Sequence, residues 1–270
     1  MNGIFWTDQG RGHPLVLLHG GFLDHHMWDD QVPVFAAGHR VIAPDARGHG
    51  RSANAAQPYR QTDDLAALLR HLGAWPAVLA GVSMGAGIAV DTAIEHPDLV
   101  SAVVVSGAGT SEPYYSDPWT TRELAAWQAA MGAGDLCGSV EGFMTLSAGP
   151  HLGPDGLDPD VARRLRAMAT GTMSKHAAGE PNLLVPVRDT WERAAKIEVP
   201  VLAISGALDS PDLVGMAERL AASVPHGRAV TIDDAAHHPN MERPAAYNRI
   251  LAGFLREHFT ARSQDSSSLA

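Results

Sequence analysis

Apolar residues in this chain fall into two rhythms. Short, nearly continuous runs at 14–19 (PLVLLH), 40–45 (RVIAPD), 77–80 (AVLA), 101–106 (SAVVVS), 199–205 (VPVLAIS) and 227–233 (GRAVTID) read as strands. Runs without polar alternation suit parallel strands covered on both faces. Between them the spacing turns helical. In TDDLAALLRHLG (62–73), Leu65, Leu68, Leu69 and Leu72 share one face, Thr62 is placed to cap, Asp63 and Asp64 suit the first turn, and Gly73 ends the helix. Strands alternating with helices predict an α/β fold: a mostly parallel sheet with right-handed crossovers and helices on both faces.

The alternation stops between about Thr110 and Arg193. Helical pieces near 118–132, 137–148 and 158–170 are punctuated there by Gly and Pro, with no strand among them. A helical insertion of this kind predicts a lid over the C-terminal edge of the sheet, where such folds bind ligands. The predicted organisation is a core of residues 1–109 and 194–260, a helical lid over 110–193 and a polar, disordered tail over 261–270.

Composition narrows the function classes. A net charge of −10 over 270 residues argues against binding a phosphate backbone, so no nucleic-acid partner is expected. The single cysteine, Cys137, cannot form an internal disulfide, which suits a reducing, cytoplasmic location. The first residues, MNGIFWTDQG, lack the basic and apolar regions of a signal peptide. No apolar stretch approaches the roughly 20 residues of a membrane span, so no membrane partner is expected.

One short stretch carries candidate chemistry. In VLAGVSMGAGIAV (78–90), Ser83 sits between a strand ending near Ala80 and a helix running through Glu95, with Gly81 and Gly85 two residues to either side. So abrupt a strand–turn–helix reversal holds a serine hydroxyl up at the sheet edge, at the start of a helix. A serine nucleophile needs a base, and the base needs a group to orient it. His237 and His238 follow the last predicted strand, and only one of them can be the base. Asp209 follows another strand in SGALD (205–209). All three groups fall at one edge of the sheet, in the chain order Ser, Asp, His. After the first long strand, HGGF (19–22) offers a backbone N–H near Gly21 that could pair with that of Met84 as an oxyanion hole, although Gly21 also suits an ordinary turn.

With these residues in hand, the chain resembles the α/β-hydrolase superfamily, in its lid-bearing single-domain group of esterases, lactonases and related enzymes. The resemblance spans about Gly3 to Phe259 and is carried by HGG (19–21), DARGHGRS (45–52), GVSMG (81–85), GALD (206–209) and AHHPNMERP (236–244). It implies Ser83 as nucleophile, Asp209 as acid, His237 as base, and Gly21 with Met84 as oxyanion hole. It implies a small-molecule ester or lactone substrate, no cofactor and no metal. The chain departs from that pattern in three ways. The segment before Pro14 is short for the two strands many relatives place there, Ala235 stands two residues before the base, and His238 replaces a residue that is usually apolar.

The remaining conspicuous residues have plainer readings. Asp45, Arg47, His49 and Ser52 suit a hydrogen-bonded turn beneath the site. His25 and His26 have no third metal ligand at helpful spacing. Trp28 suits packing of the loop that carries Gly21. Glu242 is placed to open the final helix, with Pro244 in its first turn. Trp119, Trp127, Phe143, Met144, Met168, Met173 and Trp191 fall in the insertion, either as its own small core or as pocket lining. One well-placed arginine in the insertion, such as Arg122 or Arg188, would admit an anionic substrate. The expected activity is hydrolysis of a small, largely apolar ester or lactone by a monomer or homodimer. A carbon–carbon bond hydrolase, a cofactor-free perhydrolase and a metabolite-binding receptor are the alternatives.

Overall fold

The computed structural model describes residues 3–259; the tail predicted over 261–270 lies outside the described residues. Seven strands form one sheet: β1 (Trp6–Gly10), β2 (His13–Leu18), β3 (His39–Pro44), β4 (Ala77–Val82), β5 (Val100–Ser106), β6 (Val201–Gly206) and β7 (Gly227–Ile232). Their order is β1-β3-β2-β4-β5-β6-β7, with β1 antiparallel to β3 and every other pairing parallel. Ten α-helices of the described residues accompany it: α1 (Val32–Phe35), α2 (Gln61–Leu72), α3 (Met84–Glu95), α4 (Pro118–Gly132), α5 (Leu136–Leu152), α6 (Pro159–Met173), α7 (Thr190–Ala194), α8 (Pro211–Ser223), α9 (Pro239–Glu242) and α10 (Pro244–Phe259). Among the described residues, no helix is long and apolar enough to cross a membrane.

The near-continuous apolar strands follow from two-sided burial. Side chains along a strand alternate between faces, and here both faces are covered. Leu15 and Leu17 join one core cluster with Tyr247, Leu251 and Phe254 of α10. Val16 and Leu18 join the other, with Leu65 and Leu69 of α2 and Ala89 and Val90 of α3. The edge strands obey a different rule. β7 is mostly exposed, and β1 (WTDQG) is held through its backbone pairing with β3 rather than by an apolar run. A single strand of the described residues precedes β2, as the short N-terminal segment suggests.

Two local readings change. α2 begins at Gln61 with Arg60 in the cap position and no side-chain cap; Thr62 is buried one residue inside the helix. Gly73 does end that helix, at φ 58° and ψ 34°. The insertion is helical as expected, but α5 runs to Leu152 through a sharp break at Gly149.

The topology decides where a site can form. From β2 the chain first adds β3 on one side, then returns to add β4 on the other, with Leu18 beside Gly81 in the register. Such a reversal opens a crevice at the C-terminal ends of the two strands. HGG emerges from one of those ends and GVSMG from the other.

Candidate active site

β4 ends at Val82 and α3 begins at Met84, so Ser83 alone makes the turn, at φ 53° and ψ −114°. A non-glycine residue there carries strain on the order of 1–3 kcal/mol, so neighbouring contacts must enforce the conformation. The Ser83 N–H donates to the Ser106 carbonyl at 2.8 Å. The flanking glycines let backbones meet: a Cβ on Gly81 would overlap the Gly85 carbonyl, and one on Gly85 would lie 2.6 Å from Leu18 C and 2.7 Å from His19 O.

The loops after β6 and β7 carry the other two predicted groups. Asp209 is buried; its Oδ1 accepts from the Ser210 N–H at 2.7 Å, and its Oδ2 lies 2.8 Å from His237 Nδ1. Burial works against charging His237, but the adjacent Asp209 carboxylate outweighs it by charge and hydrogen bond, and Glu242 adds to the effect. The pKa of His237 lies above the ordinary histidine value. Glu242 does not open the final helix: Pro244 does. The Glu242 carboxylate instead accepts the N–H groups of Ala236 and His238, each at 2.8 Å, and so braces the loop on either side of His237.

His238 points elsewhere. Its Nε2 is 3.1 Å from Ser147 Oγ, and its ring stands edge-on to His237 at 4.9 Å between centroids. Burial, together with the neighbouring His237, holds its pKa well below the usual value, so it is neutral. Gly21 lies against the start of α3, where a Cβ on it would meet Met84 Cβ at 3.8 Å. His19 fastens this turn: its Nδ1–H donates to Gly20 O at 2.7 Å and its Nε2 accepts from Ala46 N–H at 2.9 Å. Two such partners require the neutral ring, and burial lowers its pKa accordingly.

DARGHGRS forms the hydrogen-bonded turn expected of it. Asp45 accepts from the His25 N–H at 2.7 Å and from the Arg51 N–H at 2.8 Å; Ser52 Oγ donates to Asp45 O at 2.6 Å. Arg47 pairs with Asp64 at 2.6 Å. Burial, with His19 nearby, pushes the pKa of His49 down to about 3. Asp24, His25 and His26 each bring one possible metal-binding atom within 4.8 Å of the others, but His25 Nδ1 is engaged 2.8 Å from Asp45 Oδ1. Trp28 packs near Tyr247, with 6.1 Å between ring centroids.

Ser83, Gly21, His237 and His238 line one cavity of about 160 Å³. Trp119, Trp127 and Phe143 from the helical insertion line it too. Met144, Met168 and Met173 pack into the core instead, and Trp191 lies under Arg219, 4.1 Å from ring centroid to guanidinium carbon. Among the described residues, no Lys, Arg, Asp or Glu belongs to the lining; Arg122 is exposed and paired with Glu123 at 2.9 Å. Ser83 makes no hydrogen bond to His237 among the described residues, a contact that often tightens only with substrate bound. Tyr115, Thr120, Ser147 and Ser210 also line the cavity, and sequence reasoning passed over them. Ser210 had one available signal, its place beside Asp209; the others carried none. A larger surface depression of about 550 Å³, beside Tyr59 and Arg60, contains none of the predicted site residues.

Comparison with known proteins agrees with this architecture. The chain is 31% identical over 240 residues to a pimeloyl-[acyl-carrier protein] methyl ester esterase of Aromatoleum aromaticum, covering 85% of this chain and 93% of the relative. It is 28% identical over 260 residues to an (E)-2-((N-methylformamido)methylene)succinate hydrolase of Acinetobacter baylyi, covering 93% of each. A thermophilic esterase from Thermogutta terrifontis superposes with a TM-score of 0.73 at 27% identity, over 94% of both chains. Residues 13–244 match the family described as alpha/beta hydrolase fold. With the sheet order and the Ser83 turn, that match makes this chain a member of the α/β-hydrolase family.

Proposed function

We propose that this protein is a serine hydrolase that cleaves small, largely apolar carboxylic esters or lactones through an acyl-enzyme. The observation that carries the reading is the buried 2.8 Å contact between Asp209 and His237, in a cavity that His237 shares with Ser83. Asp209 accepts from Nδ1–H and so leaves Nε2 of His237 free to take a proton. In the proposed reaction, Ser83 Oγ attacks the substrate carbonyl as His237 removes its proton. The N–H groups of Gly21 and Met84 hold the resulting oxyanion, each worth about 2.7–4 kcal/mol where preorganised. Collapse expels the alcohol, protonated by His237; a water activated by the same ring then releases the acid.

The lining supports the substrate class. Phe22, Leu124, Trp127, Phe143, Leu146 and Leu213 offer apolar surface, and a lining without Lys or Arg among the described residues disfavours a free carboxylate. A fluorophosphonate probe is expected to label a peptide containing Ser83, and Ser83→Ala is expected to abolish labelling. Labelling that survives the substitution rejects the assignment. A panel of neutral esters, lactones and their carboxylate-bearing analogues then ranks substrates, and preference for the anionic members would overturn the substrate class.

A further inference from the structure

We propose that the broken end of α5 positions the acid–base pair, with Ser147 and Gly149 seating the loops of His237 and Asp209 against each other. The inference rests on the serine-hydrolase reading for its kinetic consequence, but its geometry does not depend on it. α5 departs from helical geometry at Gly149, at φ 71° and ψ 177°, and Pro150 follows. In an unbroken helix the Ser147 carbonyl would turn to the N–H four residues on. Here it accepts from the His237 N–H at 3.3 Å, while Ser147 Oγ meets His238 Nε2 at 3.1 Å. Two residues further, Gly149 packs against the other loop: a Cβ on it would overlap the Leu208 carbonyl and lie 3.3 Å from Asp209 Cα. Ser147, Ala148 and Gly149 are all buried.

One helix end therefore touches both loops whose side chains must stay 2.8 Å apart. The same helix supplies Phe143, Leu146 and Ser147 to the cavity lining. Seating of the substrate-facing helix and geometry of the pair are thus coupled. The titratable groups facing His237 are Asp209, Glu242 and His238, and of these the α5 break adjusts Asp209 and His238.

Gly153 provides the control. It has nearly the same backbone, φ 66° and ψ 165°, four residues on, yet a Cβ there would meet nothing within 4 Å. Alanine at either position carries the same backbone strain; only at 149 does it press on the Asp209 loop. Gly149→Ala is expected to lower kcat about 100-fold with KM little changed, the effect of a displacement near 1 Å. Gly153→Ala is expected to keep kcat within about twofold. The downfield proton NMR resonance of His237 Nδ1–H should shift or vanish in Gly149→Ala and persist in Gly153→Ala. That resonance is recorded without substrate, so it tests the positioning role even if Ser83 labelling fails. Equal behaviour of the two folded variants, in kcat or in the resonance, overturns the proposal. If Gly149→Ala does not fold, Ser147→Ala takes its place: it keeps the carbonyl that accepts from His237 N–H and removes only the hydroxyl at His238 Nε2, so a shifted His237 resonance with kcat within about tenfold of wild type is expected, and an unmoved resonance would overturn the proposal.

Discussion

Replacing Asp209 by Asn removes one charge while keeping the side chain's shape, and the structure sets the size of the result. Asp209 is 3% exposed, so solvent does little to screen it. In the transition state of the proposed reaction His237 becomes an imidazolium whose charge lies about 4 Å from the carboxylate, and at an effective dielectric constant near 20 that attraction is about 4 kcal/mol. Its loss lowers the rate about 1000-fold. Hydrogen bonding points the same way. Asp209 accepts from both Ser210 N–H and His237 Nδ1–H, whereas an amide has only one acceptor oxygen. If that oxygen stays with Ser210, the amide NH₂ faces His237 Nδ1, and the ring proton moves to Nε2, where it cannot accept from Ser83. The assay is kcat/KM on a chromogenic ester from pH 5 to 9, with circular dichroism to confirm folding. The base works only when neutral, so activity rises as pH increases through the His237 pKa. The wild-type acid limb should therefore lie above the ordinary histidine value of about 6.5 and move down in Asp209→Asn. A variant within about tenfold of wild type, or an unmoved limb, would refute the assignment of Asp209.

His237→Ala is expected to abolish fluorophosphonate labelling, while His238→Ala, whose ring is neutral and turned to Ser147, should label within about tenfold of wild type; the reverse pattern moves the role of base to His238. Gly85→Ala places a Cβ against the backbone of Leu18 and His19 and should cost about 3 kcal/mol or more in urea unfolding. An unchanged midpoint would show that this crossing can relax. Trp127→Ala removes a wall of the cavity and a ring packed edge-on to Phe22 at 5.2 Å, so the kcat/KM ratio of hexanoate to acetate esters should rise about tenfold. A constant ratio would place the acyl chain elsewhere.

Much of this was legible along the chain, and the exceptions have physical reasons. Strands buried on both faces announce themselves as apolar runs. β1 does not, because WTDQG is stabilised by backbone pairing at an edge. Thr62 was a reasonable cap by residue type, yet α2 starts one residue earlier and buries it. Glu242 was read from its place before Arg243 and Pro244; its actual partners, the N–H groups of Ala236 and His238, lie in a loop whose curvature is tertiary. The Ser83 turn was visible because strand, turn and helix are contiguous and Gly81 and Gly85 stand at fixed offsets.

By itself the amino-acid sequence determined the alternation of strands and helices, the Ser83 turn and the candidate residues for the proposed acyl chemistry, because each follows from local periodicity or residue type. Only the tertiary structure decided which histidine meets Asp209, that no Lys, Arg, Asp or Glu of the described residues lines the cavity, and that the break in α5 touches both loops of the pair. These are distances between segments far apart along the chain. They depend on the reversal of strand order between β3 and β4, and on backbone approaches that no local pattern encodes.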